Sequence, residues 1–180
     1  MLKYILMTLL LFITSTEHRS YLTEKSDTKF DAIPNSQNIP GDNPAPDFSL
    51  ITLEGDSVKL SDYAGKIIIL DFWATWCPPC RKGIPDLISI QNEFENDVTV
   101  IGISLDQPSM QDDLSSFIED YRINYPILLG TLEVVMAYGN VRAIPTSFII
   151  DRDGIIVNKY MGLVPKSIYV REINSLLDNS

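Results

Sequence analysis

The chain has 180 residues, 45% of them hydrophobic, which is enough for one domain with a sizeable core and short appendages. Its formal net charge of −10 disfavours nucleic acid and anionic membrane surfaces as partners. The sequence contains two cysteines and one histidine, so a structural zinc site, which takes about four Cys or His ligands, is not expected. We predict no metal and no cofactor.

The N-terminal residues 1–16 combine a basic start at Lys3 with an apolar run from Tyr4 to Ile13. This pattern is typical of a secretory signal peptide. At about 1.5 Å per residue the run reaches roughly 15 Å, about half of a bilayer core. The small residues after it form no Ala-x-Ala cleavage pattern, so a short membrane anchor that tethers the protein through residues 4–16 stays open as the alternative. Both interpretations predict an exported protein.

A polar tract follows at residues 17–44. It is rich in Ser, Thr, Asn, Asp and Pro, and Ile-Pro and Asn-Pro pairs interrupt it. This composition predicts a flexible linker, with the folded domain at residues 45–180.

The domain alternates strands and helices. The predicted elements are a β-hairpin over 48–60, a strand over 66–73, a helix from Cys80 onward, a strand over 98–105, a helix over 109–121, a strand over 126–129, a helix over 132–138, a second hairpin over 146–160 and a helix over 166–177. The runs 66–73 and 98–105 are continuously apolar, as in central strands that are covered on both faces. The order predicts an α/β fold with a mixed central β-sheet flanked by helices and preceded by an N-terminal β-hairpin.

Both cysteines lie in the segment Trp76-Cys77-Pro78-Pro79-Cys80, directly after a predicted strand. A disulfide across two residues encloses very little chain, so it would contribute little stability by loop closure. The spacing therefore favours a reversible redox pair over a structural disulfide. Arg81 follows the second cysteine, where c-type haem attachment requires histidine.

Two segments carry a resemblance to a known family: Leu70-Asp-Phe-Trp-Ala-Thr-Trp-Cys-Pro-Pro-Cys-Arg81 and Val141-Arg-Ala-Ile-Pro-Thr146. Together they resemble the thioredoxin superfamily, and in detail its TlpA/ResA-like thiol:disulfide oxidoreductases, a redoxin or AhpC/TSA-like branch. The resemblance covers about residues 45–177 and implies a thioredoxin-like fold for the domain.

The resemblance implies a role for each residue of the pair. At a helix N-terminus, free backbone N–H groups and the helix dipole lower a thiol pKa, so Cys77 is expected to attack a substrate disulfide. Cys80, expected to be the more buried thiol, resolves the mixed disulfide. Asp71 matches a buried acid of thioredoxins, and burial is expected to raise its pKa and suit it to accept the Cys80 proton. An ordinary polar residue at a strand end is the alternative for Asp71.

Substrate contacts follow from the same resemblance. Ile144-Pro145 resembles the superfamily's cis-proline, which leaves the Ile144 backbone free to pair with a substrate peptide. Trp76 is expected to be an exposed contact residue, with core packing as the alternative. The chain also departs from its relatives, because Gly83 occupies a position where ResA-like proteins usually carry an acid. Gly102 is the nearest match to a lysine that often neighbours the buried acid.

The predicted function is that of an exported thiol:disulfide oxidoreductase in the cell envelope, either periplasmic or anchored to the membrane and facing the extracytoplasmic side. Its expected substrates are protein disulfides, including those of apocytochrome c during cytochrome c maturation. A membrane thiol reductase is the expected electron donor, and the protein is expected to be a monomer. A disulfide-donating oxidase, a thiol peroxidase and a Cu(I)-binding assembly protein are the alternatives.

Overall fold

The computed structural model describes residues 35–38 and 43–178. The predicted segment 1–16 and most of the predicted linker lie outside the described residues. The strands are β1 Asn35–Asn38, β2 Ser49–Ile51, β3 Ser57–Lys59, β4 Ile67–Trp73, β5 Val98–Ser104, β6 Ile127–Leu129, β7 Thr146–Ile150 and β8 Ile156–Met161. The α-helices are α1 Pro78–Glu93, α2 Gln111–Tyr121, α3 Leu132–Ala137 and α4 Lys166–Asp178. Among these residues, no helix is long and apolar enough to cross a membrane.

The larger sheet has the strand order β1-β8-β7-β4-β5-β6 and is mixed. Strand β4 pairs in parallel with β5 and antiparallel with β7, while β2 and β3 form the separate hairpin. Every residue of β4 and β5 is buried. Their continuous apolar runs predict this, because side chains on both faces of a central strand pack against other elements.

Two hydrophobic clusters cover the two faces of the sheet. One cluster joins β4 and β5 to α1, α2 and α4 and includes Ile69, Trp73 and both cysteines. The other joins the opposite face to α3 and the hairpin, where the Tyr138 ring packs edge-on against Phe148. The predicted mixed sheet, flanking helices and hairpin are therefore all present.

Strand β1 corrects the linker prediction. Residues 35–38 were expected to be part of a flexible linker, but they pair antiparallel with β8, from Asn35 opposite Met161 to Asn38 opposite Asn158. The Asn43 carbonyl then accepts a hydrogen bond from Ile156 N–H at 2.9 Å. A polar segment can form an edge strand because backbone N–H and C=O groups, rather than apolar side chains, satisfy the open edge of β8.

Strand directions bring three chain segments to one edge of the sheet. The parallel strands β4 and β5 end there, and β7 begins there because it runs antiparallel to β4, with Thr146 opposite Phe72. The residues after β4 and β5 and those before β7 consequently lie side by side at this edge.

Candidate active site

The two cysteines form a disulfide at the N-terminus of α1. Cys77 is the N-cap residue, and its Sγ accepts a hydrogen bond from the Cys80 backbone N–H at 3.3 Å. Pro78 and Pro79 occupy the first helical positions, where a missing N–H costs nothing because those groups have no partner inside the helix. The helix therefore begins at the motif, and the Cys80 N–H of its first turn faces the Cys77 sulfur.

Burial does not distinguish the two thiols. Cys80 was expected to be the more buried, but both cysteines are 3% exposed in the disulfide. Hydrogen bonding does distinguish them. The Cys77 Sγ receives the helix N–H and lies 3.7 Å from the carbonyl oxygen of Ile144. A Cys77 thiolate at the same place would accept that N–H bond, which stabilises its negative charge.

Asp71 lies on the central strand β4 and is 5% exposed, which confirms the expected burial. Burial raises the pKa of Asp71 to about 7 from its ordinary 3.8, and a hydrogen bond from Ser147 opposes this rise. The cause is desolvation, which disfavours the charged carboxylate. With a pKa near neutrality, the carboxyl can both accept and release a proton under ordinary conditions.

A small cavity lies between Asp71 and Cys80. It has a volume of about 10 Å³ and is lined by Asp71, Cys80, Pro145 and Ser147, among others. This volume is close to the lower limit for one water molecule. Asp71 and Cys80 therefore border the same space.

Gly83 and Gly102, the two positions named above where this chain differs from its relatives, have different surroundings. Gly83 borders the same cavity, and a Cβ there would meet only the Leu163 side chain, at 3.2 Å. Gly102 lies opposite Asp71 in the β4–β5 register. A Cβ at Gly102 would lie 2.6 Å from Ile127 Cδ1 and 2.8 Å from Trp73 Nε1, so the packing leaves no room for a longer side chain there.

The remaining predicted contact residues surround the disulfide. The Ile144–Pro145 peptide bond is cis, as predicted. Trp76 is 58% exposed, which agrees with a contact residue, whereas Trp73 is buried. Leu163, 41% exposed, borders the cavity together with Pro145. The structure thus brings Cys77, Cys80, Asp71, Ile144, Pro145 and Trp76 to one edge of the sheet.

Arg81 is engaged by α2. Its Nε donates a hydrogen bond to Tyr121 Oη at 3.1 Å, and its guanidinium lies 5.6 Å from the Phe117 ring centroid. These contacts hold the Arg81 side chain against α2. Within the described part of the chain, no three Cys, His, Asp or Glu side chains form a group that could hold a metal ion.

Sequence reasoning missed Asp106, which holds the loop before Cys77. Its carboxylate accepts hydrogen bonds from Thr75 Oγ1 at 2.7 Å, from Thr75 N–H at 3.0 Å and from Ser104 Oγ at 2.9 Å. The sequence did contain a signal, because an acid two residues after the end of β5 is expected to lie beside the residues that follow the parallel strand β4.

Sequence reasoning also missed Ser147 and Tyr169. Ser147 Oγ donates to Asp71 Oδ1 at 2.8 Å and lies 2.7 Å from Tyr169 Oη. Pairing of β7 with β4 would have identified Ser147 as a neighbour of Asp71, because their register places the two residues opposite each other. Tyr169 lies on α4, and no local sequence pattern connects it to the site.

Comparisons with known proteins agree with this geometry. The model of the AhpC/TSA family matches residues 42–159. The chain is 34% identical to thioredoxin-like protein YneN of Bacillus subtilis (strain 168) over 74% of this chain and 76% of that protein. It is 29% identical to thiol-disulfide oxidoreductase ResA of Geobacillus kaustophilus (strain HTA426) over 96% of this chain and 92% of that protein.

A solved structure confirms the predicted thioredoxin-like fold. The thiol:disulfide interchange protein, thioredoxin family protein from Chlorobium tepidum TLS superposes with a TM-score of 0.70 at 32% identity. The match covers 77% of this chain and 99% of that chain. The shared region is thus almost the whole of the solved protein.

Proposed function

Because the chain belongs to the AhpC/TSA family and to the TlpA/ResA-like thiol:disulfide oxidoreductases of the thioredoxin superfamily, we propose that it reduces protein disulfides in the cell envelope. The observation that carries this proposal is the Cys77 sulfur at the N-cap of α1, where it accepts the Cys80 N–H and lies next to Ile144. A thiolate at this position is stabilised by the helix N-terminus and lies one helical turn from a second thiol.

Reduction proceeds in two exchanges. The Cys77 thiolate attacks one sulfur of the substrate disulfide, whose S–S bond breaks as a Cys77–substrate disulfide forms and the other substrate sulfur leaves as a thiolate. Asp71 then accepts the Cys80 proton, and the Cys80 thiolate attacks Cys77 Sγ. The mixed disulfide breaks, the Cys77–Cys80 disulfide forms, and two electrons have passed to the substrate.

Substrate binding uses the surface around the disulfide. Trp76, which is exposed, directly precedes Cys77, and the partly exposed Leu163 borders the same cavity as Cys80. We assign Ile144 and Pro145 to the backbone edge that pairs with an extended substrate segment. Apocytochrome c cysteines are one proposed substrate class, and the protein works as a monomer.

A membrane dithiol reductase returns the enzyme to its reduced form. Its two thiols become a disulfide while Cys77 and Cys80 become thiols, so that electrons and protons balance. Export is supported by the basic start and apolar run of residues 1–16, which serve as signal peptide or as membrane tether. The similarity to ResA over 96% of this chain extends into this N-terminal region.

Reduction of insulin disulfides by the purified protein, together with its reduction potential, tests the proposal. We expect turnover with dithiothreitol as electron donor and a potential near the thioredoxin value of about −270 mV. A Cys77→Ser variant is the matched control and should be inactive. A potential near −120 mV would instead indicate a disulfide-donating oxidase. Rapid turnover of hydrogen peroxide would indicate a thiol peroxidase, and tight Cu(I) binding without insulin reduction would indicate a copper protein.

A further inference from the structure

Two hydroxyl groups and one carboxyl group form a continuous hydrogen-bonded chain beneath the cysteines. Tyr169 Oη lies 2.7 Å from Ser147 Oγ, which donates to Asp71 Oδ1 at 2.8 Å. All three residues are buried, with exposures of 3%, 1% and 5% for Tyr169, Ser147 and Asp71. Buried polar groups of this kind are costly unless each has a partner, and here each one does.

Three separate elements bring these groups together. Asp71 is on β4, and Ser147 lies directly opposite it on β7, two residues after Pro145. Tyr169 lies in the first half of α4, which packs on the same face of the sheet as the cysteines. The chain of hydroxyls therefore runs from the C-terminal helix to the acid at the active-site edge.

The charge state of Asp71 decides the direction of these hydrogen bonds. An ionised carboxylate only accepts, so the Ser147 proton points to Asp71 Oδ1, and the Ser147 oxygen can in turn accept the Tyr169 proton. Both bonds favour the carboxylate, because donors near a charged acceptor stabilise it. The Ser147 hydrogen bond goes to Oδ1, and Asp71 borders the same cavity as Cys80, whose proton it is proposed to accept.

We propose that Ser147 and Tyr169 are positioning residues that hold Asp71 by Oδ1 and set the pH at which it accepts the Cys80 proton. The proposal rests on the proposed function, in which Asp71 is that proton acceptor. Neither residue touches the reacting sulfur atoms in this scheme, and each acts only through the Asp71 carboxyl.

The titratable groups around Asp71 do not change charge in the pH range in which Asp71 titrates, apart from Cys80, whose proton Asp71 accepts in the proposed reaction. They are Cys80 on α1, Tyr125 before β6 and Tyr169 on α4, with Tyr160 on β8 facing Tyr169. Burial raises the pKa of Tyr125 and of Tyr169 above the ordinary value of 10.0, so both stay protonated while Asp71 titrates. Among the described groups facing the carboxyl, the two hydroxyls of the chain are thus the donors that stabilise its charge.

Carbon-13 NMR of the aspartate carboxyl groups in the reduced full-length protein tests the proposal. Ser147→Ala should move the Asp71 titration midpoint upward by about one pH unit, because a donor to the charged form is lost. Tyr169→Phe should move it upward by a smaller amount, and Ser147→Thr, which keeps the hydroxyl, should restore it. Tyr138→Phe is the matched control, since it removes a buried tyrosine hydroxyl, the donor to Pro46 O, on the opposite face of the sheet.

Mixed-disulfide resolution provides the second measurement. An upward move of about one pH unit leaves Asp71 largely protonated at neutral pH, so Ser147→Ala should resolve about fivefold more slowly near pH 7 and recover near pH 9. An unchanged NMR midpoint in Ser147→Ala, or an equal change in Tyr138→Phe, would overturn the proposal. A shifted midpoint with an unchanged resolution rate would overturn the role of Asp71 as proton acceptor and with it this proposal. If the wild type forms no mixed disulfide at all, the proposed function fails, whereas the NMR titration still reports whether the hydroxyl chain acts on Asp71.

Discussion

Asp71→Asn tests whether burial of the ionised Asp71 carboxylate lowers the stability of the folded protein. Burial holds the Asp71 pKa at about 7 in the folded protein, whereas the ordinary value of 3.8 applies to the unfolded chain. Between these values the folded protein binds a proton that the unfolded chain has released. The free energy of unfolding therefore falls as the pH rises through this window and levels off above about pH 7.

The size of the effect follows from the two pKa values. At about 1.4 kcal/mol per pH unit, the gap between 3.8 and about 7 corresponds to about 4 kcal/mol of destabilisation at high pH. Asparagine is nearly isosteric, stays neutral and keeps an oxygen that can accept the Ser147 hydrogen bond. Its amide N–H groups need new partners, which offsets part of the gain, so we expect Asp71→Asn to be about 2–4 kcal/mol more stable than wild type above about pH 8.

Urea unfolding of the oxidised protein between about pH 4 and pH 9 measures this difference. Near pH 4, where the folded protein carries Asp71 uncharged, the variant should be between equally stable and about 2 kcal/mol less stable than wild type, and its relative stability should then rise to a plateau above pH 7. Asp120→Asn, an exposed acid on α2, removes the same charge and should change stability by at most about 0.5 kcal/mol at any pH. A gain that does not depend on pH, or a variant less stable than wild type at pH 8, would refute the reasoning.

Three further substitutions are checked by the same unfolding measurement. Gly102→Ala should cost about 1–3 kcal/mol, because its Cβ would overlap Trp73 Nε1 and Ile127; an unchanged stability would contradict this packing. Gly83→Ala should be stabilising by about 0.5–1 kcal/mol, since it lies inside α1 and meets only a flexible leucine; a loss would contradict it. Asp106→Ala should cost about 1–3 kcal/mol and slow insulin reduction, because the loop before Cys77 loses its acceptor; full activity would contradict it.

Local sequence patterns were sufficient to predict the three chain segments that form the site. The apolar run of β4, the Cys77-Pro-Pro-Cys80 segment at a helix start and the proline before β7 each carry their own signal within a few residues. Strand directions then place these three segments at one edge of the sheet. The burial of Asp71 was predictable for the same reason, because a polar residue in a central strand has no route to solvent on either face.

The remaining features depend on contacts between distant parts of the chain. Strand β1 forms because β8 offers an open edge, and its asparagine-rich sequence carries no hydrophobic period that could have revealed it. The Tyr169–Ser147–Asp71 chain joins three elements whose separation in sequence hides their proximity. Equal exposure of the two cysteines was likewise unpredictable, because the Cys77 sulfur lies 3.7 Å from the carbonyl oxygen of Ile144, a residue distant in sequence.

Trapping with Cys80→Ser in cells tests the central claim that Cys77 attacks a protein disulfide and Cys80 resolves it. Without the second thiol, the exchange should stop at the Cys77–substrate disulfide, so reducible covalent adducts should accumulate and mass spectrometry should identify envelope proteins in them. Cys77→Ser is the matched control and should trap fewer partners. Adducts that form equally through Cys80, or the absence of adducts from Cys80→Ser, would contradict the assignment of attacking and resolving thiols.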